Sequence, residues 1–115
     1  MDFLSYDIVI VGSGIAGLRA AIEASRAHGT LRIPVITKVQ AMRSHSVSAE
    51  GGTAAVLYPE KGDSIESHVY DTVKGCDFLA DQDAVERLCS MMAAEVYQLE
   101  HWGMPWSRNE DGRIA

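Results

Sequence analysis

The residues most able to do chemistry stand in two short segments of the first half of the chain. Gly12-Ser13-Gly14-Ile15-Ala16-Gly17 has the spacing GxGxxG. Such a turn suits a nucleotide pyrophosphate. Gly12 makes the tight turn, Gly14 lets the phosphates approach the backbone, and Gly17 lets the next helix lie close to the strand. The phosphate charge then meets backbone N–H groups at that helix's N-terminus. The motif is weak alone, but here it follows a buried-strand pattern and opens a helix. A plain NAD site usually carries Asp or Glu at the end of the second strand. That place holds Thr37-Lys38, followed by Val39. This counts against NAD. It leaves open a phosphorylated ribose or a differently held adenosine, with Lys38 pairing a phosphate.

The second segment runs from Val39 to Gly52 and contains Arg43, Ser44, His45, Ser46, Ser48, Ala49, Glu50, Gly51 and Gly52. A single histidine in a polar loop is more often solvated than reactive. The company of His45 changes that reading, because donors, small side chains and permissive backbone surround it just after the second strand. In an open parallel sheet that is the edge where ligands lie. Fourteen residues without clear periodicity inside a compact domain are more often functional than idle.

These segments need elements to position them. Ile8-Val9-Ile10-Val11 is apolar on both faces, as in a strand covered on both sides in a parallel sheet. From Ile15 to about His28 the pattern is helical, with Leu18, Ala21 and Ile22 on one face and Gly29 as a stop. Ile33–Thr37 reads as the second strand, with Pro34 near its start, where a missing donor is tolerated. The result is a βαβ unit with a right-handed crossover. Thr53–Leu57 reads as a short extended segment. Asp63 with Glu66 three residues on reads as a capping box opening a helix to about Lys74. A longer helix follows Asp81, with Val85, Leu88, Met92, Val96, Leu99 and Trp102 on one stripe, and stops at Gly103.

Composition bounds the rest. At 115 residues the chain fits one domain. Sixteen acidic against ten basic side chains give a net charge of −6, which argues against nucleic acid as a partner. Residues 1–55 carry five basic and four acidic side chains, and residues 56–115 carry five and twelve. An anionic cofactor therefore belongs in the first half. Cys76 and Cys89 form neither a CxxC pair nor a zinc framework, and read as thiols in a reducing compartment. The start of the chain lacks the basic and apolar regions of a signal peptide, and no apolar run is long enough to cross a bilayer. Met91, Met92 and Met104 read as core packing. His68 and Asp71 share a helix face without making a metal site. His28 and His101 fall at helix ends, and Asp77, Asp81, Asp83 and Glu86 form a solvated face with caps at a helix start.

Met42-Arg43-Ser44-His45-Ser46-Val47-Ser48-Ala49-Glu50-Gly51-Gly52, after Gly12–Gly17 and Thr37-Lys38-Val39, resembles the N-terminal part of fumarate reductase and succinate dehydrogenase flavoprotein subunits. The likeness continues through Tyr70-Asp71-Thr72-Val73-Lys74-Gly75, Asp81-Gln82-Asp83 and Trp102-Gly103-Met104-Pro105-Trp106-Ser107-Arg108. It implies an α/β fold: the N-terminal βαβ portion and following helices of a Rossmann-like FAD-binding domain, incomplete relative to the family, with residues 1–115 as one domain part. It implies FAD as cofactor, wrapped by Gly12, Ser13, Gly14, Ile15, Ala16, Gly17, Thr37, Lys38, Val39, Ser44, His45, Ser46, Ala49, Glu50, Gly51 and Gly52. His45 falls on the family's flavin-linking histidine, bonded through a ring nitrogen to the flavin 8α carbon. Glu50 leans toward the bacterial fumarate reductases.

The activity so implied is hydride transfer between flavin and a C4 dicarboxylate, fumarate or succinate. Electrons pass to or from quinone through an iron–sulfur subunit, with membrane anchor subunits holding the complex on the inner, cytoplasmic face of the cell membrane. The family's substrate clamp and proton donor come after Ala115, so no catalytic residue is expected in this chain, nor activity from it alone. The alternative is a truncated, non-catalytic FAD-binding or interaction module. On either reading the chain is expected to expose a sheet edge and apolar helix faces.

Overall fold

The computed structural model describes residues 3–115. The chain divides into two compact units, the first running to Gly51 and the second from Gly52 to Ala115.

In the first unit, strand β1 (Ile10–Val11) and strand β2 (Val35–Ile36) pair in parallel, Ile10 opposite Val35 and Val11 opposite Ile36, with helix α1 (Ile15–Ala27) between them in sequence. This is the expected βαβ order. The regular strands are shorter than Ile8–Val11 and Ile33–Thr37, although pairing continues beyond them. Ile8 N–H reaches Arg32 C=O, Ile10 N–H donates to Pro34 C=O at 3.1 Å, and Gly12 N–H donates to Ile36 C=O at 2.8 Å. Pro34 has no N–H to give, so the full ladder begins one residue later. At the entry of the pair, Asp7 Oδ2 accepts from Arg32 N–H at 2.8 Å. That backbone bond, followed by the Arg32 side chain, holds the Asp7 carboxyl below the usual carboxylate range. Val11 is 84% exposed and Ile36 54%. The two-sided cover that the apolar run predicts is therefore not found among the described residues, because the sheet has two strands.

Beyond β2 the expected irregular stretch contains a 3-10 turn at Ala41–Arg43 and a single helical turn, α2 (His45–Ser48), with Ser44 as its N-cap residue. Ser44 C=O accepts from Val47 and Ser48 N–H.

The second unit rests on α3 (Ile65–Gly75) and α4 (Gln82–His101). The start of α3 differs from the expected capping box. Ser64 is the N-cap and accepts from Ser67 N–H at 3.1 Å, while Asp63 Oδ1 accepts from Ser64 N–H. The Glu66 carboxyl is lowered by its own backbone N–H and then by Ser64. Helix α4 begins as expected, with Asp81 Oδ1 accepting from Ala84 N–H at 3.2 Å. Of the expected stripe, Val85 and Val96 are buried and Met92 and Leu99 half-buried, whereas Leu88 is 56% exposed and Trp102 is open to solvent, and Cys89 is buried in place of Leu88. Val73, Val85 and Cys89 form the core, with Val69 and Ala80 against it. Met91 and Met104 stay exposed and Met92 is half-buried, so methionine packing is narrower than expected. Thr53–Leu57 has no partner strand and forms no regular strand, although Val56 is buried. The chain end folds back on itself. Tyr58 O–H donates to Ile114 C=O at 2.9 Å, and Trp106 Nε1–H donates to Val96 C=O at 3.0 Å. No described helix is long and apolar enough to cross a membrane.

Candidate functional site

The glycine turn is shaped by contacts that only small residues allow. Gly12 has φ +113°, a conformation that side-chain-bearing residues rarely adopt. A Cβ on Gly17 would stand 2.1 Å from Gly12 O and 3.4 Å from Ile10 Cγ2. The helix therefore lies directly on the turn, and position 17 admits glycine alone. A Cβ on Gly14 would stand 3.3 Å from Ser46 Oγ.

Two hydroxyl bridges draw three segments together. Ser13, 5% exposed, donates from Oγ to Thr37 Oγ1 at 2.8 Å, and Thr37 in turn donates to Val39 C=O at 2.7 Å. This chain of bonds ties the turn to the exit of β2. Ile15 N–H donates to Ser46 Oγ at 3.0 Å across 31 residues, which brings the α2 turn to the start of α1. The α1 N-cap, Gly14, has no side chain to cap the helix, and its first turn holds no acid.

Of the residues singled out from sequence, the structure brings Gly12, Ser13, Gly14, Ile15, Gly17, Thr37, Val39 and Ser46 into contact. Ala16 lies exposed in the first turn of α1. His45 is exposed at the first position of α2, next to Ser46, and Ser44 before it is half-buried. Lys38, Ala49, Glu50 and Gly51 are exposed, and Gly52 begins the second unit.

The donor set fits the diphosphate of FAD. Residues 12–17 and 37–46 contain no carboxylate, while Lys38 and Arg43 are cationic. The α1 N–H groups after Ile15, the turn backbone and the Ser46 hydroxyl, which keeps its own proton while accepting from Ile15 N–H, are suited to an anion.

The second unit holds a feature that sequence reasoning did not single out as a site. A cavity of about 290 Å³ is lined by Gly52, Thr53, His68, Thr72, Cys89 and Met92, among others. His68 Nδ1 is buried there without a hydrogen-bond partner, and Thr72 Oγ1 donates to His68 C=O at 2.8 Å. The signal in the sequence was the four-residue spacing of His68 and Thr72 on one helix face. Among the described residues no group of three His, Cys, Asp or Glu side chains is arranged to hold a metal.

Residues 7–115 match the family described as the FAD binding domain. The chain is 52% identical over 110 residues to a fumarate reductase flavoprotein subunit of Mycobacterium tuberculosis, covering 96% of this chain and 18% of that protein. It is 50% identical over 109 residues to a succinate dehydrogenase flavoprotein subunit of Coxiella burnetii, covering 95% and 18%. A solved Escherichia coli quinol fumarate reductase chain superimposes with a TM-score of 0.89 at 49% identity, over 100% of this chain and 19% of that one. The chain thus spans about a fifth of the length of the relatives it matches.

Proposed function

Since the chain belongs to the FAD-binding domain family, we propose that it is the FAD-anchoring part of a fumarate reductase or succinate dehydrogenase flavoprotein, with a Rossmann-like βαβ start. The observation that carries this reading is the Gly17 contact. A helix seated on the Gly12 carbonyl with no room for a Cβ puts the N–H groups that follow Ile15, whose own N–H is taken by Ser46, at the turn that would meet a diphosphate. Gly12, Ser13, Gly14, Ile15, Ala16 and Gly17 hold the diphosphate end. Thr37, Lys38 and Val39, at the exit of β2, would hold the adenosine half. Ser44, His45, Ser46, Ala49, Glu50 and Gly51 would hold the flavin half, with His45 holding it covalently through a ring nitrogen. Bound FAD supplies two-electron chemistry, accepting hydride from or delivering it to a C4 dicarboxylate, succinate or fumarate. This chain's residues anchor and orient, and contribute no proton donor.

The relatives are named as fumarate reductase and succinate dehydrogenase subunits, and the structural neighbour as a quinol enzyme. Those names support membership of a multi-subunit enzyme, and the reading extends this to an iron–sulfur subunit and membrane anchors, with the chain part of a peripheral subunit on the cytoplasmic face of the membrane.

Titration with FAD and NAD, followed by intrinsic and flavin fluorescence, tests the cofactor. FAD is expected to bind at least about a hundredfold more tightly than NAD, because Thr37-Lys38 offers no carboxylate to a plain ribose. Equal or tighter NAD binding refutes the proposal.

A further inference from the structure

The geometry points to Ser46 as a positioning residue that holds the His45 turn on the phosphate-binding end of α1, a role that rests on the reading of His45 as the flavin-holding residue. Helix α2 is one turn of four residues, too short to keep its place by helical bonds alone. Its bonds to Ser44 are local, the N–H groups of Val47 and Ser48 both reaching the Ser44 carbonyl. The bond from Ile15 N–H to Ser46 Oγ, 3.0 Å long, spans 31 residues. Ile15 opens α1, whose N-cap residue Gly14 has no side-chain oxygen for the task. Ser46 therefore provides from a distant segment the cap that α1 lacks.

Two positions are matched to make this possible. A Cβ at residue 14 would lie 3.3 Å from Ser46 Oγ, so glycine there leaves room for the hydroxyl. A hydroxyl that accepts one bond still has its own proton to donate. Capping α1 thus leaves Ser46 able to face an anion. His45 is the adjacent residue on the same turn, so whatever fixes Ser46 fixes the backbone that carries the imidazole.

The test compares wild type, Ser46→Ala, Ser46→Thr and Gly14→Ala. It reads amide hydrogen exchange at Ile15 without flavin, and then the flavin that stays on the chain after denaturation. Ser46→Ala is expected to speed Ile15 exchange by about fivefold or more and to weaken dissociable FAD binding by less than about fivefold. Flavin retained after denaturation is expected to accumulate at least about tenfold more slowly, because His45 is no longer held in register. Ser46→Thr keeps both readouts near wild type. Gly14→Ala, which crowds the same oxygen without removing it, reproduces the Ile15 effect if Ser46→Ala fails to fold. Unchanged Ile15 exchange in Ser46→Ala, or in Gly14→Ala where that variant is used, overturns the cap. Retained flavin equal to wild type in Ser46→Ala overturns the positioning role. If wild type retains no flavin while Ile15 still responds to Ser46→Ala, the His45 reading fails and the cap stands.

Discussion

The two units of this chain are held by different kinds of interaction. In the unit up to Gly51, the side chain that is buried among the described residues is a serine, while Val11 and Ile36 are open to solvent. In the unit from Gly52, Val56, Val73, Val85, Cys89, Val96 and Ile114 are buried. The first region is fixed by backbone pairing, by the Ser13–Thr37–Val39 and Ile15–Ser46 bonds, and by glycine contacts that admit no side chain. The second is fixed by apolar packing, which is non-directional and tolerates repacking. Where a region is built to meet a ligand, its small residues stand where a self-sufficient core would place large ones. Binding of FAD should therefore stabilise the first unit selectively, since a ligand stabilises what it binds.

Substitutions can break that contrast, and both tryptophans, Trp102 and Trp106, lie in the second unit and report on it separately. The largest effect is expected from Gly17→Ala. A Cβ placed 2.1 Å from Gly12 O should destabilise the glycine turn by more than about 3 kcal/mol. FAD binding should vanish in titration while the tryptophan-detected urea transition stays where it was. A tryptophan transition that moves equally would dissolve the distinction between the units. Val73→Ala should do the converse. Losing a side chain that is 6% exposed should lower the tryptophan-detected transition by about 2 kcal/mol and leave FAD affinity unchanged.

Ser13→Ala should cost the first unit about 1 kcal/mol, the usual worth of a hydrogen bond, and weaken FAD several-fold, measured by the same titration. The smallest effect belongs to Asp7. Its carboxyl is lowered chiefly by the Arg32 backbone N–H, so it stabilises the fold above its ordinary value, and that contribution is lost as pH falls through the lowered one. The loss therefore lies below about pH 4. Asp7→Asn should remove this slope from an acid titration followed by circular dichroism, and leave stability near pH 7 changed only slightly, as expected for an exposed ion pair.

Much of this was legible in the sequence, for reasons that differ by residue. The glycine turn, the order strand–helix–strand and the Asp81 cap were readable because each follows from local sterics or a local hydrogen bond. The start of α3 was shifted by one residue because Asp63 and Ser64 are both good caps, and only the structure shows which carboxyl or hydroxyl meets the helix. On α4, Leu88 and Cys89 are adjacent candidates for the same stripe, since spacings of three and four residues both suit a helix face. The burial expected of Ile8–Val11 depends on neighbouring strands, which the run itself does not encode. The α2 turn and the Ile15–Ser46 bond were illegible because a one-turn helix is set by tertiary contact, and the contact reaches across 31 residues.

We propose that the glycine turn and the His45 turn together hold FAD, the latter covalently. Intact-mass analysis of the denatured chain after exposure to FAD, with and without His45→Ala, tests it most directly. One flavin dinucleotide is expected on the wild-type chain, mapped to the peptide containing His45, and none on His45→Ala, which still binds FAD reversibly. An unmodified wild-type chain, or the same added mass on His45→Ala, would contradict it.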